Sequence, residues 1–564
     1  MLYFIYILIY FLIKEIMTKK KTEKELSKEL QSTAQLHQKL WNIADTLRGW
    51  MDASDFKNYM LWFIFYKYLS EKIEKVNNKY LKEEKEAIKA EWKETTLPET
   101  YSELDFNNSE HKEYFDSIKE IVLTDLGYNL KPDELFSKIV EKGEKGEFIL
   151  NDLETVLKNI EASTMGTSSE DDFSNLFEAV DLHSSKLGKN NSEKNEKIVK
   201  ILSYLNEIDF KLDDVNSDVL GDAYEYLISQ FASSAGKKAG EFYTPQSVSK
   251  ILAKIVSAWK DKLKSVYDPT CGSGSLLIRT IKEVKEVWKI YWQEKNPTTY
   301  NLARMNMLLH DVHYSKFDIK NDDTLTNPRH LGKKFEAIVA NPPFSLKWEP
   351  EKFKDDERFT EYWLAPKSNA DYAFIEHMLY HLADEWTMAT VMPLWVLFRW
   401  TKPTKNTAYS EYKIRRYLVE NKNYLDAVIW LPVNIFFWTW IPSVILVFKK
   451  CRKKDDKVLF IDASKDFKKE RGQYFLLEEH INKIIDTYQN KKEIEKYSHL
   501  ADLKEIEEND FNLNIPRYVD TFEKEEIVDI KEVAEDIKEI KKELEETEKT
   551  INWFCKELGI DNLF

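Results

Sequence analysis

Two periodicities divide this chain. In LWNIADTLRGWMDASDFKNYMLWFIFYKYLSEKI, residues 40–73, aromatic and aliphatic side chains recur at spacings of three and four with charge on the opposite face, which predicts amphipathic helix. That pattern extends from about Ser27 to Ile160. Residues 166–195 are polar and rich in Ser and Asn, which predicts a linker or a surface excursion. From about Glu196 to Ala463 short apolar runs (SVYD, KIYW, EAIVA, TMATVMP, DAVIWLP and SVILVFKK) alternate with helical patterns. Alternation of this kind predicts a doubly wound α/β domain. The tail returns to helix: Ile530, Val533, Ile537, Ile540, Leu544, Thr547, Ile551, Phe554 and Leu558 form a narrow apolar seam through a strongly charged background. Such a seam suits a coiled coil or a partner helix, or else a helix folded back on its own domain.

The organisation expected is a doubtful start or apolar leader at 1–16, a helical domain at 17–165, a polar linker at 166–195, an α/β domain at 196–470 and a helical tail at 471–564. The leader MLYFIYILIYFLI is too short for the roughly 20 residues that span a bilayer. It also lacks the basic flank and small-residue cleavage site of a secretory signal. Met17 opens a stretch that reads as an ordinary cytosolic start. The expectation is a cytoplasmic protein without stable membrane association.

Composition narrows the chemistry. The chain holds 83 Lys and Arg against 98 Asp and Glu, a formal charge of -15, which argues against wrapping of nucleic acid by the whole surface. Cys271, Cys451 and Cys555 lie far apart without zinc spacing or a disulfide pattern, so no metal site is expected.

Two strand ends carry the candidate chemistry. EAIVANPPFSLKW climbs through a short buried-strand pattern and stops at Asn341, followed by two prolines that fix φ and remove two donors. Asn341, Pro342, Pro343 and Phe344 would form a stiff polar loop at the carboxyl edge of the sheet, where open α/β sheets bind ligands. SVYDPTCGSGSLLI places Asp268 at a strand end before a Gly-x-Gly turn into a helix. Gly272 and Gly274 permit close approach of a ligand to the backbone, and the helix start offers free amides. The spacing of a phosphate loop is absent from the sequence, which excludes an ATP motor of that type. Glu294 ends the next strand, where an acid can take ribose hydroxyls. In NDDTL, Asp322 and Asp323 stand near another strand end, where a carboxylate can accept from an adenine amino group. Each acid alone reads more readily as a helix cap or a solvated loop residue, and their order before NPPF is what favours a site.

In order, GDAYEYLISQFA, GKKAGEFYTP, DPTCGSGSLL, NPTTYNLARMNMLLH, IVANPPFS, KSNADYAFIEHML and NIFFWTWIPS closely resemble the modification subunit of type I restriction-modification systems, which are S-adenosylmethionine-dependent DNA adenine N6-methyltransferases. The resemblance covers about Lys21 to Leu558. It implies a Rossmann-like methyltransferase domain at 196–470 and a partner-binding tail at 471–564. Asp268, Gly272, Gly274 and Ser275 would hold the methionine part of S-adenosylmethionine, Glu294 its ribose and Asp323 its adenine, with Phe242, Tyr243 and Thr244 closing the pocket. Asn341 and the Pro342 carbonyl would accept the N6 hydrogens of a flipped adenine, with Phe344 stacked on it and Phe436 and Phe437 as candidates for its other face. The implied partners are double-stranded DNA, a specificity subunit and a second copy of this chain; whether a restriction subunit carrying a motor and nuclease joins them stays open. An RNA or protein methyltransferase with the same loop, or an inactive DNA-binding assembly subunit, are the competing readings.

The chain departs from that family in one respect. Tryptophan stands where members carry glycine at Trp292, Trp386, Trp395, Trp400, Trp430, Trp438 and Trp440, and Trp62, Trp259, Trp288 and Trp363 look similar. Glycine numbers 14 of 564, where ordinary usage would give about 39. Residues 333–471 contain none and hold eight of the sixteen tryptophans. A codon read as tryptophan in one genetic code and glycine in another would produce this pattern. The expectation is awkward backbone angles or exposed indoles at these positions, with Trp41, Trp348 and Trp553 genuine.

Overall fold

The computed structural model describes residues 53–178, 180–210, 219–234, 244–258, 260–399, 411–436, 441–470, 473–520 and 530–557. Residues up to Val519 form one compact unit, and 520–564 form a second.

The first unit opens with helices. Helix α1, Ala53–Ala90, is long and buries Met60, Phe63, Ile64 and Phe65 in its first half. Around it lie α2 (Ser109–Leu126), α3 (Phe136–Glu144), α4 (Leu150–Ser163) and α5 (Asn191–Asn206). Sequence punctuation sets their ends. The Asn108 side chain accepts from the Glu110 amide to cap α2, which stops at Gly127 with φ +83, a left-handed angle that a Cβ disfavours. Within the stretch 166–195, Phe173, Leu176, Leu182 and Leu187 are buried, which ties this polar segment into the helical layer.

Next come α6 (Val219–Ser234), α7 (Gln246–Val256) and a nine-stranded sheet. Its strands are β1 (Lys262–Asp268), β2 (Glu286–Glu294), β3 (Phe317–Asn321), β4 (Phe335–Ala340), β5 (Leu382–Pro393), β6 (Leu425–Trp430), β7 (Ser443–Lys449) and β8 (Val458–Asp462). A small hairpin, β9 (Lys468–Glu470) with β10 (Gln473–Phe475), precedes the ninth sheet strand, β11 (Ser498–Ala501). The spatial order is β11-β8-β6-β7-β5-β4-β1-β2-β3. Pairing is parallel from β5 through β3 and between β6 and β8, while β7 runs antiparallel to both β5 and β6. Helices α8 (Ser275–Glu283) and α9 (Pro297–Leu309) cross between the early strands, and α10 (Asp371–His381) precedes β5. Four of the six residues of β4 are completely buried, as expected for a central strand covered on both faces.

The doubly wound expectation holds, with additions that the alternation did not reveal. The short β3 is the strand expected to end before Asp322, whereas β8 and β11 were not anticipated. β11 and helix α11 (Glu478–Gln489) extend the α/β unit past residue 470, into what reads in sequence as tail. The second unit contains α12, Ile530–Glu557, with Ile537, Ile540, Leu544 and Trp553 all exposed. Among the described residues no helix is long and apolar enough to cross a membrane, and the apolar leader lies outside them.

Tryptophan geometry matches its expectation in part. Trp288 and Trp363 are exposed, whereas Trp62 and Trp292 are fully buried. Trp259, Trp400, Trp438 and Trp440 lie outside the described residues. Among the described residues the tryptophan with a left-handed backbone is Trp92, at φ +59, which the sequence did not single out.

Candidate functional site

Topology assembles the site. From β1 the chain adds β2 and β3 on one side, then returns to place β4 on the other side of β1. The reversal leaves a crevice above the carboxyl ends of β1 and β4, the place where open α/β sheets bind ligands. Asp268 ends β1, Glu294 ends β2, Asp322 follows β3 and Asn341 follows β4. The sheet order therefore sets four sequence-distant polar residues along one edge.

The Gly-x-Gly turn shapes the floor. The Gly274 amide donates to the Cys271 carbonyl at 2.9 Å, and Gly274 adopts φ +80 just before α8. Glycine is required there by the angle. The Glu294 carboxylate accepts from the Gly272 amide at 3.1 Å and the Asn296 amide at 2.8 Å, clamping the turn to the end of β2. The Asn306 side chain of α9 donates to the Ser273 carbonyl at 3.0 Å and fixes the turn from behind.

Asp268 is the electrostatic anomaly. It is 1% exposed. Burial, with Glu294 nearby, pushes its carboxyl up to about 8, despite the Thr270 amide donating to it at 2.9 Å. Burial also raises the Glu294 carboxyl, against the pull of its amide donors. Asp323 behaves oppositely: Lys295 at 2.8 Å and the amides of Leu325 and Thr326 hold it below the usual carboxylate range despite partial burial.

One cleft is lined by Thr244, Asp268, Gly272, Ser273, Ser275 and Asn341 among others. In it the Asn341 Nδ2 donates to Thr244 Oγ1 at 3.1 Å. Phe344 is half-buried, its ring set edge-on to Phe436 at 6.4 Å between centroids, and Phe436 is 3% exposed in the core. Phe242, Tyr243 and Phe437 lie outside the described residues. Asp323 stands one sheet position beyond the Glu294 end, with Thr324 Oγ1 donating to the Pro269 carbonyl at 2.5 Å.

Sequence reasoning missed a buried charge relay beside this loop. The Ser345 amide, at φ +54, donates to Asp371 Oδ1 at 2.8 Å. Asp371 Oδ2 accepts from Arg399 Nη2 at 2.6 Å, and Arg399 Nε donates to Glu411 at 2.6 Å. Asp371 is 1% exposed and Glu411 is fully buried. Asp371 falls in KSNADYAFIEHML, one of the stretches that carry the resemblance, but nothing there pairs it with Arg399 or Glu411.

Comparisons with known proteins identify the family. Residues 215–527 match the family described as N-6 DNA Methylase, and residues 36–205 match the HsdM N-terminal domain. The methylase subunit of the type I restriction enzyme MpnII of Mycoplasma pneumoniae is 37% identical over 518 residues, covering 88% of this chain and 91% of that one. The methylase subunit of the type I restriction enzyme HindI of Haemophilus influenzae is 34% identical over 324 residues, 55% of this chain and 70% of its own length. The crystal structure of a type I restriction-modification methyltransferase subunit from Streptococcus thermophilus superposes with a TM-score of 0.74 at 38% identity, covering 86% of this chain and 99% of that chain.

Proposed function

The chain belongs to the N-6 DNA methylase family, among the methylase subunits of type I restriction enzymes, and from that premise we propose how its carboxyl-edge cleft works. The protein is an adenine-specific DNA methyltransferase that uses S-adenosylmethionine. The observation that carries the site assignment is the single cleft shared by Asn341, Thr244, Asp268 and Gly272.

The donor set fits that cofactor. Asp268 is a buried carboxyl whose surroundings hold it protonated near neutrality. An ammonium group brought beside it supplies the missing positive charge, because an opposite charge at short range favours the ionised form. The Gly272–Ser275 turn offers backbone for close approach, Glu294 offers carboxylate oxygens for ribose hydroxyls and Asp323 lies toward the adenine side. Thr244 closes the pocket. When bound, S-adenosylmethionine supplies an electrophilic methyl on a sulfonium.

The chain's own contribution is positioning. An adenine stacked in duplex DNA cannot bring its amino group into a cleft, so it is rotated out at a cost of a few kcal/mol. Asn341 commits its Nδ2 to Thr244, and among the described residues nothing donates to its Oδ1. That oxygen and the Pro342 carbonyl accept the two N6 hydrogens and turn the nitrogen lone pair toward the methyl. Pro342 and Pro343 hold the loop stiff, and Phe344 packs on the ring. Holding two reactants in attack geometry supplies several kcal/mol without a covalent enzyme intermediate.

As a methylase subunit the protein is one component of a multi-subunit restriction-modification assembly. We assign sequence reading to a specificity subunit gripped by two copies of this chain, with double-stranded DNA as substrate and the exposed apolar seam of α12 as a contact. The test is methyl transfer to DNA by the chain assembled with its specificity subunit, read as N6-methyl-2′-deoxyadenosine after digestion. Asn341→Ala is expected to abolish the product while leaving cofactor binding intact.

A further inference from the structure

We propose that Asp371 is a positioning residue for methyl transfer, holding the Asn341–Phe344 loop in its working shape through the Ser345 amide. The proposal rests on the assignment of that loop as the base-binding claw. Ser345 follows the claw directly and sits at φ +54, a left-handed angle that a side chain disfavours and that persists only where surroundings over-determine it. Asp371 Oδ1 accepts its amide at 2.8 Å. Beyond that point the loop is tied down by backbone: the Ala370 amide donates to the Leu346 carbonyl at 2.8 Å, the Trp348 amide to the Lys367 carbonyl at 3.1 Å, and the Trp348 indole to the Pro366 carbonyl at 3.0 Å. On the claw side two consecutive prolines have no amides to give. The Ser345 amide is thus where the clamp meets the claw. Asp371 is itself fixed, because Arg399 bridges it to Glu411.

The test measures steady-state kinetics of the assembled methyltransferase. Asp371→Ala is expected to lower kcat roughly tenfold while cofactor affinity changes little, since Asp371 holds the Ser345 amide and neither residue lines the Asp268 cleft. Ser345→Gly in the Asp371→Ala background is expected to restore much of kcat, because glycine holds a left-handed angle without help. A merely structural Asp371 would lose stability and would not be rescued by that second change. Unchanged kcat in Asp371→Ala, or no rescue by Ser345→Gly, overturns the proposal. If Asn341→Ala also retains activity, it is the claw assignment that fails.

A separate set of observations concerns tryptophan. From these we infer that Trp92 occupies a position built for glycine, and that the working protein carries glycine there. At the end of α1 the Trp92 amide donates to the Lys89 carbonyl at 3.1 Å and the Lys93 amide to the Ile88 carbonyl at 3.2 Å. This is the two-bond helix stop that calls for a left-handed residue, usually glycine. Helix α3 ends with the same pair of bonds around Gly146 at φ +83. Trp92 takes φ +59 and is 96% exposed, so its indole neither packs nor relieves the angle.

Peptide mass spectrometry of the protein isolated from its own cells reads this position directly: glycine is expected, and tryptophan overturns the inference. In recombinant protein Trp92→Gly is expected to raise Tm, and a lower Tm contradicts the backbone argument at that position.

Discussion

Asn341 Nδ2 donates to Thr244 Oγ1 at 3.1 Å, a contact between the loop after β4 and the residue just before α7. It fixes the amide's orientation and leaves Oδ1 for a base. Thr244→Val removes the acceptor while keeping the shape. The expected loss is about 1 kcal/mol of transition-state stabilisation, or roughly a fivefold lower kcat. Methylation kinetics of the assembled enzyme check this, and the change should fall on kcat more than on stability.

Asp268 predicts a proton signature. Its carboxyl is pushed up to about 8 by burial, so the unliganded protein holds a proton there at pH 7. Because the folded pKa is raised, the sign for stability follows: its contribution is fully present below the unfolded pKa, near 4, and is lost as pH rises through about 8. Binding an ammonium-bearing cofactor drives the carboxyl to its ionised form. Calorimetry in buffers of different ionisation enthalpy should show close to one proton released per cofactor at pH 7. Asp268→Asn should abolish the release and weaken binding.

Glu294 ties the end of β2 to the Gly272 turn. Glu294→Ala removes both charge-assisted contacts and any contact to the ribose. Loss of about 2 kcal/mol is expected, roughly a 30-fold weaker cofactor affinity by direct titration. Gln at this position should recover part of it, since one oxygen still accepts from the Gly272 amide.

Much of this arrangement was legible because the decisive residues announce themselves locally. Asn341 directly follows an apolar run, two prolines mark the stop, and Asp268 precedes a glycine turn; each fell at the carboxyl end of a strand. What was hidden depends on pairing between distant segments. β11 offers only a single leucine and an alanine. The antiparallel insertion of β7 leaves no local trace, because a strand buried on both faces reads alike in either direction. Asp371, Arg399 and Glu411 are separated by 28 and 12 residues, and nothing in the intervening sequence says they meet. Glu294 was placed as a ribose ligand, and its grip on the Gly272 amide could not be foreseen.

The tail helix offers a test of assembly. Ile540 and Leu544 of α12 are 62% and 57% exposed, so charged replacements cost the helix little. Ile540→Asp with Leu544→Asp should leave Tm unchanged and reduce co-purification with the specificity subunit at least tenfold, since each buried apolar side chain in such a contact contributes about 1.5–3 kcal/mol. Retained co-purification would assign that contact elsewhere.

The most direct test of the account is methyl transfer by the assembled enzyme with and without Asn341. Labelled S-adenosylmethionine, duplex DNA and the specificity subunit are combined with either the native chain or Asn341→Ala, and digested nucleosides are read by mass spectrometry. The account predicts N6-methyl-2′-deoxyadenosine from the native assembly and none above background from the variant, with cofactor affinity unchanged. Undiminished N6-methyl-2′-deoxyadenosine from Asn341→Ala would contradict it.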